Sequence, residues 1–167
     1  LNLKVKFRES FRPFAPSILC EHTNEWFDLD IDSPYMLFVS KIKSKLRYDL
    51  SKEEKELFGI EKLNIKRSKI SAVTHIDYSA RIQTVHKETN PMYHSLISKF
   101  YEITSCPILV NTSFNVRGEP IVCSPEDAFN CFMGTGLDAL TIGNYFLDKY
   151  DQDENLKKSY KDKYELD

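Results

Sequence analysis

Apolar and polar positions change rhythm in short blocks along this chain, and each change marks an element. Residues 13–20, Pro-Phe-Ala-Pro-Ser-Ile-Leu-Cys, predict a short strand. Its two prolines confine it to a sheet edge or to the beginning of the strand, because proline brings no N–H to a ladder. The unbroken apolar run at 34–39, Pro-Tyr-Met-Leu-Phe-Val, predicts a buried strand. Residues 41–69 lose the pattern. Lys and Glu dominate, apolar residues are scattered, and Gly59 is the one strong turn signal. This stretch reads as an exposed insertion, helical around 51–58. Its lysines are interleaved with acidic residues, which favours a solvated face over a basic binding patch. Residues 71–75 and 80–85 then read as strands. Asn90-Pro91 opens a helix with proline at the first helical position, and Tyr93, Leu96, Ile97, Phe100 and Tyr101 recur at helical spacing. Residues 107–110, Pro-Ile-Leu-Val, read as a core strand running into a polar loop. Ser124, Pro125 and Asp127 form a capped helix start, and Gly134-Thr-Gly136 stops that helix near Met133. A last strand is expected at 139–146, followed by a charged tail over 151–167 that reads as frayed. Together these elements predict one α/β (α+β) domain over 1–150 with a mixed sheet.

The chain's 167 residues can bury a core without disulfides or a metal. A net charge of −2 supplies no global field for nucleic acid or an anionic membrane. No stretch reaches the ~18 apolar residues of a membrane-spanning helix. The first residues lack the apolar centre of a signal peptide. Cys20, Cys106, Cys123 and Cys131 form no C-x-x-C pair and lie in apolar surroundings, so they read as reduced core thiols of a cytoplasmic protein. His22, His75, His86 and His94 lack metal-ligand spacing, and no metal held by side chains is expected. A start at Leu1 rather than Met suggests a piece of a longer polypeptide, a vector-derived or processed end being the alternative.

Three clusters carry candidate chemistry. In the first, Lys6 and Arg8 share one side of an extended chain if strand alternation holds, with Phe7 opposite and Arg12 following. Such a pair grips an anion, Arg bidentately and Lys as a point charge. The alternative is a charged edge strand that protects a sheet. In the second, Arg81 and Gln83 share one face of a short strand while Ala80 and Ile82 take the other. A guanidinium beside an amide suits a carboxylate, carbamate or phosphate. The alternative is an ordinary half-exposed strand. In the third, an apolar strand ends abruptly in Asn111-Thr-Ser-Phe-Asn-Val-Arg-Gly-Glu-Pro120. Small polar side chains there leave backbone N–H groups open to phosphate oxygens, and Gly118 can turn the chain back. The alternative is a turn that satisfies only its own backbone. Asn111-Thr-Ser113 also fits a glycosylation acceptor pattern, discounted for want of a secretory signal. No paired carboxylates, Ser-His-Asp set or Cys-His pair emerges. The chemistry indicated is electrostatic.

Three long stretches, Val5-Lys-Phe-Arg-Glu-Ser-Phe-Arg-Pro-Phe-Ala-Pro-Ser17, His75-Ile-Asp-Tyr-Ser-Ala-Arg-Ile-Gln-Thr-Val85 and residues 111–128, closely resemble the C-terminal domain of the O-carbamoyltransferases of nodulation and antibiotic pathways. That domain is similar to the YrdC-like threonylcarbamoyl-AMP synthases, whose Lys-x-Arg resembles Lys6 and Arg8 and whose Ser-x-Asn resembles Ser113 and Asn115. The resemblance implies a YrdC-like twisted mixed β-sheet flanked by helices. It implies formation of carbamoyl adenylate from carbamoyl phosphate and ATP, with Mg2+ accompanying the nucleotide. Lys6 and Arg8 would neutralise phosphates, and Arg81 would hold carbamoyl phosphate or carbamate. Ser113 and Asn115 would meet nucleotide phosphate or its magnesium, with Asn111, Thr112, Arg12 and Arg117 as further contacts. Transfer to a hydroxyl is implied in a separate N-terminal domain of ASKHA type, which would hold iron. The family's Gly-Pro-Arg-Ala-Leu-Gly stretch, which lies shortly before the point matching Leu1, is absent here, so half of a bifunctional enzyme is expected. An RNA-binding module or a non-catalytic docking module is the alternative function.

Overall fold

The 13–20 strand, expected at a sheet edge or with its prolines at its beginning, takes the second course: it lies inside the sheet, with Pro13 before it and Pro16 as its second residue. In the computed structural model, which describes residues 1–157 and Tyr160, the chain forms two compact units. One is Pro13–Thr112, and the other joins Leu1–Arg12 to the described residues from Ser113 onward.

The Pro13–Thr112 unit carries a four-stranded mixed sheet of β1 (Ala15–Leu19), β2 (Phe38–Lys41), β3 (Ser79–Val85) and β4 (Ile108–Asn111), in the order β2-β3-β1-β4. β1 runs parallel to β3, with Ser17 opposite Gln83, and antiparallel to β4, with Ala15 opposite Asn111. Proline is tolerated inside β1 for a local reason. Leu19 N–H donates to Pro107 C=O on the β4 side. By alternation the Pro16 nitrogen faces β3, where pairing begins only at Ser17.

Two helices are predicted and found with their caps. In α4 (Pro91–Thr104), Asn90 accepts from Tyr93 N–H. The other, α5 (Pro125–Gly134), belongs to the second unit. Short helices α1 (Thr23–Trp26), α2 (Lys52–Glu56) and α3 (Gly59–Leu63) complete the first unit. One sheet face buries Ile18, Ala80, Ile82 and Ile108 against Phe27, Leu29 and Ile42. At ~1.5–3 kcal/mol per fully buried large apolar side chain, this cluster is the unit's main source of cohesion. On the other face Leu19 and Val85 pack on Ile97 of α4.

Several expectations change. The 34–39 run is not a buried strand. Met36 takes a left-handed φ of 58°, and only its end joins β2, where Phe38 and Val39 remain exposed at the sheet's edge. An apolar run alone cannot tell a core strand from an edge one. β4 is likewise an edge strand, with Ile108 buried and Val110 exposed. Residues 71–75 contain a 3-10 turn, Ser71–Val73, instead of a strand. The 41–69 stretch is not exposed throughout: Ile42, Leu46, Arg67 and Ser68 near its ends are buried. Arg67 donates to the Thr74, Lys62 and Leu63 carbonyls, and Ser68 Oγ meets Thr74 Oγ1 at 2.8 Å.

In the other unit α5 (Pro125–Gly134) starts on a reciprocal capping box between Ser124 and Asp127. The single strand expected at 139–146 is a hairpin, β5 (Ala139–Ile142) and β6 (Tyr145–Asp148), turning at Gly143, whose φ is 56°. Phe132, Met133, Ala128 and Leu140 form its core. The tail is ordered as far as it is described, with 3-10 turns Lys149–Asp151 and Glu154–Leu156 and a buried Tyr160. The rest of the expected frayed tail lies outside the described residues. Of the thiols, Cys131 is buried, Cys20 and Cys106 are half-buried, and Cys123 is exposed, which corrects the expectation of four core cysteines. No helix among the described residues is long and apolar enough to cross a membrane.

Candidate functional site

Lys6 and Arg8 do not share a side of an extended chain. Asn2–Lys6 close a wide π-helical turn in which Lys6 N–H donates to Leu1 C=O at 3.0 Å. Phe7 then takes the left-handed region, φ 51°, which is uncommon for a bulky residue and reverses the chain between the two cations. The Phe7 ring packs against Val116, Cys131 and Tyr160. Asn2 sets the following loop. Its amide donates to the Ser10 and Arg12 carbonyls, and its Oδ1 accepts from Arg8 Nε at 2.7 Å.

The turn drives Lys6 inward, to 4% exposure. Its Nζ donates toward four oxygens: Ser113 O at 2.8 Å, Ser113 Oγ at 3.3 Å, Asn115 O at 2.6 Å and Asn115 Oδ1 at 2.7 Å. An ammonium has three protons, so these contacts use its full capacity. Burial, and after it the neighbouring Arg8, hold this ammonium below its ordinary pKa. Ser113 Oγ donates to Asn115 Oδ1 at 2.7 Å, and Asn115 Nδ2 donates to Glu119 C=O at 2.7 Å. Val116 N–H donates to Glu119 Oε2 at 2.8 Å, and Arg117 N–H to Lys6 C=O at 3.0 Å. The loop is thus curled around the ammonium. Among the described residues, the N–H groups of Ser113, Phe114 and Asn115 have no hydrogen-bond acceptor. Successive open N–H groups on a curled loop are the usual form of a backbone anion site.

Three guanidinium groups gather in the same unit. Glu9 lies between Arg12, at 3.0 Å, and Arg117, at 3.4 Å. A hydrogen bond to its own backbone lowers the Glu9 carboxyl, and Arg12, Arg117 and Arg8 lower it further. Burial, then Arg12, lowers Arg8. With Lys6, four cations stand against the carboxylates of Glu9 and Glu119. That local excess favours a polyanion in a chain whose overall charge is −2.

The second cluster belongs to the Pro13–Thr112 unit. Arg81 and Gln83 do share one face of β3, with Ala80 and Ile82 fully buried on the other. Their roles differ. Gln83 Oε1 accepts from Ser17 Oγ and from Asn111 Nδ2, each at 2.6 Å, and its Nε2 donates to Pro34 C=O at 3.1 Å. Gln83 and Asn111 therefore fasten the sheet face. The Arg81 side chain is exposed and makes no hydrogen bond or ion pair with another described residue. Thr112 is exposed at the end of this unit. A cavity of about 460 Å³ in the same unit is lined by Asp32, Tyr35, Gln83, His86 and Glu88. Its two carboxylates suit an anion poorly.

The Lys6, Arg8, Arg12, Ser113, Asn115 and Arg117 expected at a site fall together in one unit; Arg81, Asn111 and Thr112 belong to the other. Sequence reading missed Asn2, Glu9, Glu119 and Tyr160. Glu119 stood inside the Gly-Glu-Pro motif and could have been marked. Tyr160 gave no signal. Among the described residues no group of three His, Cys, Asp or Glu side chains could hold a metal. Asn115 Oδ1 already accepts from Lys6 and Ser113, so it does not fit a direct magnesium ligand in this arrangement.

Residues 1–149 match the family model described as Carbamoyltransferase C-terminus. An uncharacterised protein of Synechocystis sp. is 55% identical over 168 residues, 100% of this chain and 27% of its own length. Nodulation protein NolO of Bradyrhizobium diazoefficiens is 40% identical over 152 residues, 89% of this chain and 24% of that protein. The 3'-hydroxymethylcephem-O-carbamoyltransferase of Amycolatopsis lactamdurans is 30% identical over 141 residues, 84% of this chain and 23% of that enzyme. The chain spans about a quarter of the length of these curated relatives.

Proposed function

Because this chain belongs to the carbamoyltransferase C-terminus family, we propose that it is the phosphate-handling part of an O-carbamoyltransferase, where carbamoyl phosphate and ATP are converted to carbamoyl adenylate. The observation that carries this reading is the loop at 113–115. It is curled around a buried ammonium, presents three open N–H groups and has three arginines in its own unit.

In the proposed reaction carbamoyl phosphate first loses inorganic phosphate to water, leaving carbamate. A carbamate oxygen then attacks the α-phosphorus of ATP. The bond from that phosphorus to the bridging oxygen breaks, and pyrophosphate leaves with the electron pair. Little covalent work falls to side chains, and positioning and charge stabilisation lower the barrier. Lys6 acts from behind, holding the Ser113 and Asn115 oxygens so that the loop's N–H groups face outward. Arg8, Arg12 and Arg117 offset phosphate charge. Arg81 holds the carbamate or carbamoyl phosphate through its planar fork. Magnesium would enter on the nucleotide's own phosphates and neutralise part of their charge. The hydroxyl acceptor and the transfer step are assigned to the additional length that relatives carry, an ASKHA-type domain holding iron in this reading. The setting is cytoplasmic.

Carbamoyl-dependent ATP–pyrophosphate exchange tests this in the complete natural polypeptide. Ser113→Ala and Arg81→Ala are each expected to slow exchange at least tenfold, about 1.4 kcal/mol of barrier. Wild-type exchange in both variants would remove these residues from the reaction.

A further inference from the structure

Tyr160 lies beyond residues 1–149, the part that matches the family, yet it is buried at 4% exposure in the same unit as the Lys6 loop. Its Oη donates to Glu119 Oε1 at 2.6 Å. The other oxygen of that carboxylate, Oε2, accepts Val116 N–H, and the Glu119 carbonyl accepts Asn115 Nδ2. Asn115 Oδ1 in turn accepts from both Lys6 and Ser113. A continuous chain of hydrogen bonds therefore runs from the phenol through Glu119 and Asn115 to Ser113.

The carboxylate is buried, so its charge needs donors. Tyr160 supplies a charge-assisted one, and the buried Cys131 thiol is a second neighbour. Burial, and after it Glu119, pushes Cys131 up to about 12, so it remains a thiol. The phenol ring also has a seat. It packs on Val116 and Cys131, and a Cβ at Gly134 would come within 2.5–2.6 Å of its Cβ, Cγ and Cδ2. The end of α5 is a glycine where the ring lies.

We propose that Tyr160 is a positioning residue, which fixes Glu119 and through it the 113–119 loop in the shape that leaves the Ser113–Asn115 N–H groups open. The inference rests on the reading of this loop as a phosphate site. It adds that the site's geometry depends on a side chain outside the family-matched segment.

The test is Tyr160→Phe in the full chain, with Tyr160→Ala beside it. The phenylalanine keeps the ring on Gly134 and removes only the donor. Hydrogen exchange of the Val116 amide in the ligand-free protein is expected to quicken at least tenfold in both variants, while β5 and β6 amides keep their rates in Tyr160→Phe. In the pyrophosphate-exchange assay, Tyr160→Phe is expected to raise KM for ATP at least fivefold with kcat changed less than twofold. Loss of Val116 protection with an unaltered KM upholds the role of Tyr160 and counts against the phosphate reading of the loop. Unaltered Val116 protection in Tyr160→Phe overturns the proposal, whatever the assay gives.

Discussion

Two basic side chains, one in each unit, show how differently similar sequence cues are used. Lys6 follows an apolar valine and Arg81 follows a buried alanine; each looked like a cation aimed at an anion. Lys6 is buried, and its protons are spent on four loop oxygens. Arg81 is exposed and has no partner among the described residues. Burial with saturated donors marks a residue that shapes a site. An unengaged guanidinium on a rigid strand marks one that can meet a ligand directly. The contrast separates two roles: in the loop's own unit Lys6, with Asn115 and Glu119, is a scaffold for the open N–H groups of 113–115, and in the Pro13–Thr112 unit Arg81 belongs to a contact set.

The sharpest way to break this contrast is Lys6→Met, which keeps most of the apolar stem and removes the ammonium. Carbonyl, hydroxyl and amide oxygens of the exposed Ser113 and half-buried Asn115 then lose their donor, at up to ~1–3 kcal/mol for each unsatisfied group, offset by relaxation and water entry. A net loss of about 3 kcal/mol in urea unfolding is expected. Arg81→Ala, by contrast, should change stability by less than ~0.5 kcal/mol, as exposed substitutions do. Comparable losses in the two variants would erase the distinction. Gln83→Ala sharpens it within one strand. Gln83 neighbours Arg81 on the same face but makes three hydrogen bonds that tie β3 to Ser17, Asn111 and Pro34. About 2 kcal/mol of stability should be lost, from unpaired partners at the half-buried face. An unchanged unfolding midpoint would place Gln83 with Arg81 as a ligand-facing residue.

What the sequence disclosed follows the reach of each signal. Caps act over four residues, so Asn90 and Ser124 marked α4 and α5 correctly. Strand alternation is equally local, and it placed Arg81 and Gln83 opposite Ala80 and Ile82. It failed at Lys6-Phe7-Arg8, because the chain there is held by partners more than a hundred residues away, and Phe7 reverses it. The 34–39 run and 107–110 read as core strands but reach only the two sheet edges, since strand order depends on pairing that no local pattern records. Gly143-Asn144 was a readable hairpin turn, and the 139–146 strand should have been divided there. Tyr160 was illegible: a tyrosine in a charged tail reveals nothing of a carboxylate forty-one residues earlier.

The smallest effect separates the two kinds of lysine contact by pH. Lys41 Nζ reaches Asp77 Oδ2 and Asp77 C=O, each at 2.6 Å, on an exposed turn. Lys41, and after it Ser79, lowers the Asp77 carboxyl well below the usual range. A carboxyl whose folded pKa is depressed adds stability at pH values above its unfolded pKa, ~3.9, and that stability fades as pH falls toward the folded pKa. Both side chains are about half exposed, so solvent screening limits the pair's worth to about 0.5 kcal/mol. Asp77→Asn should therefore cost that much at pH 7, with the gap to wild type narrowing below pH ~4 and in high salt. The Lys6→Met gap should stay level over the same acid range, because the four oxygens around Lys6 are carbonyl, hydroxyl and amide, and none takes up a proton. Urea unfolding of both variants at pH 3, 5 and 7 would show it. Parallel pH profiles would mean that the Lys6 ammonium serves a titrating carboxylate, and the division between scaffold and contact set would have to be redrawn around Glu119.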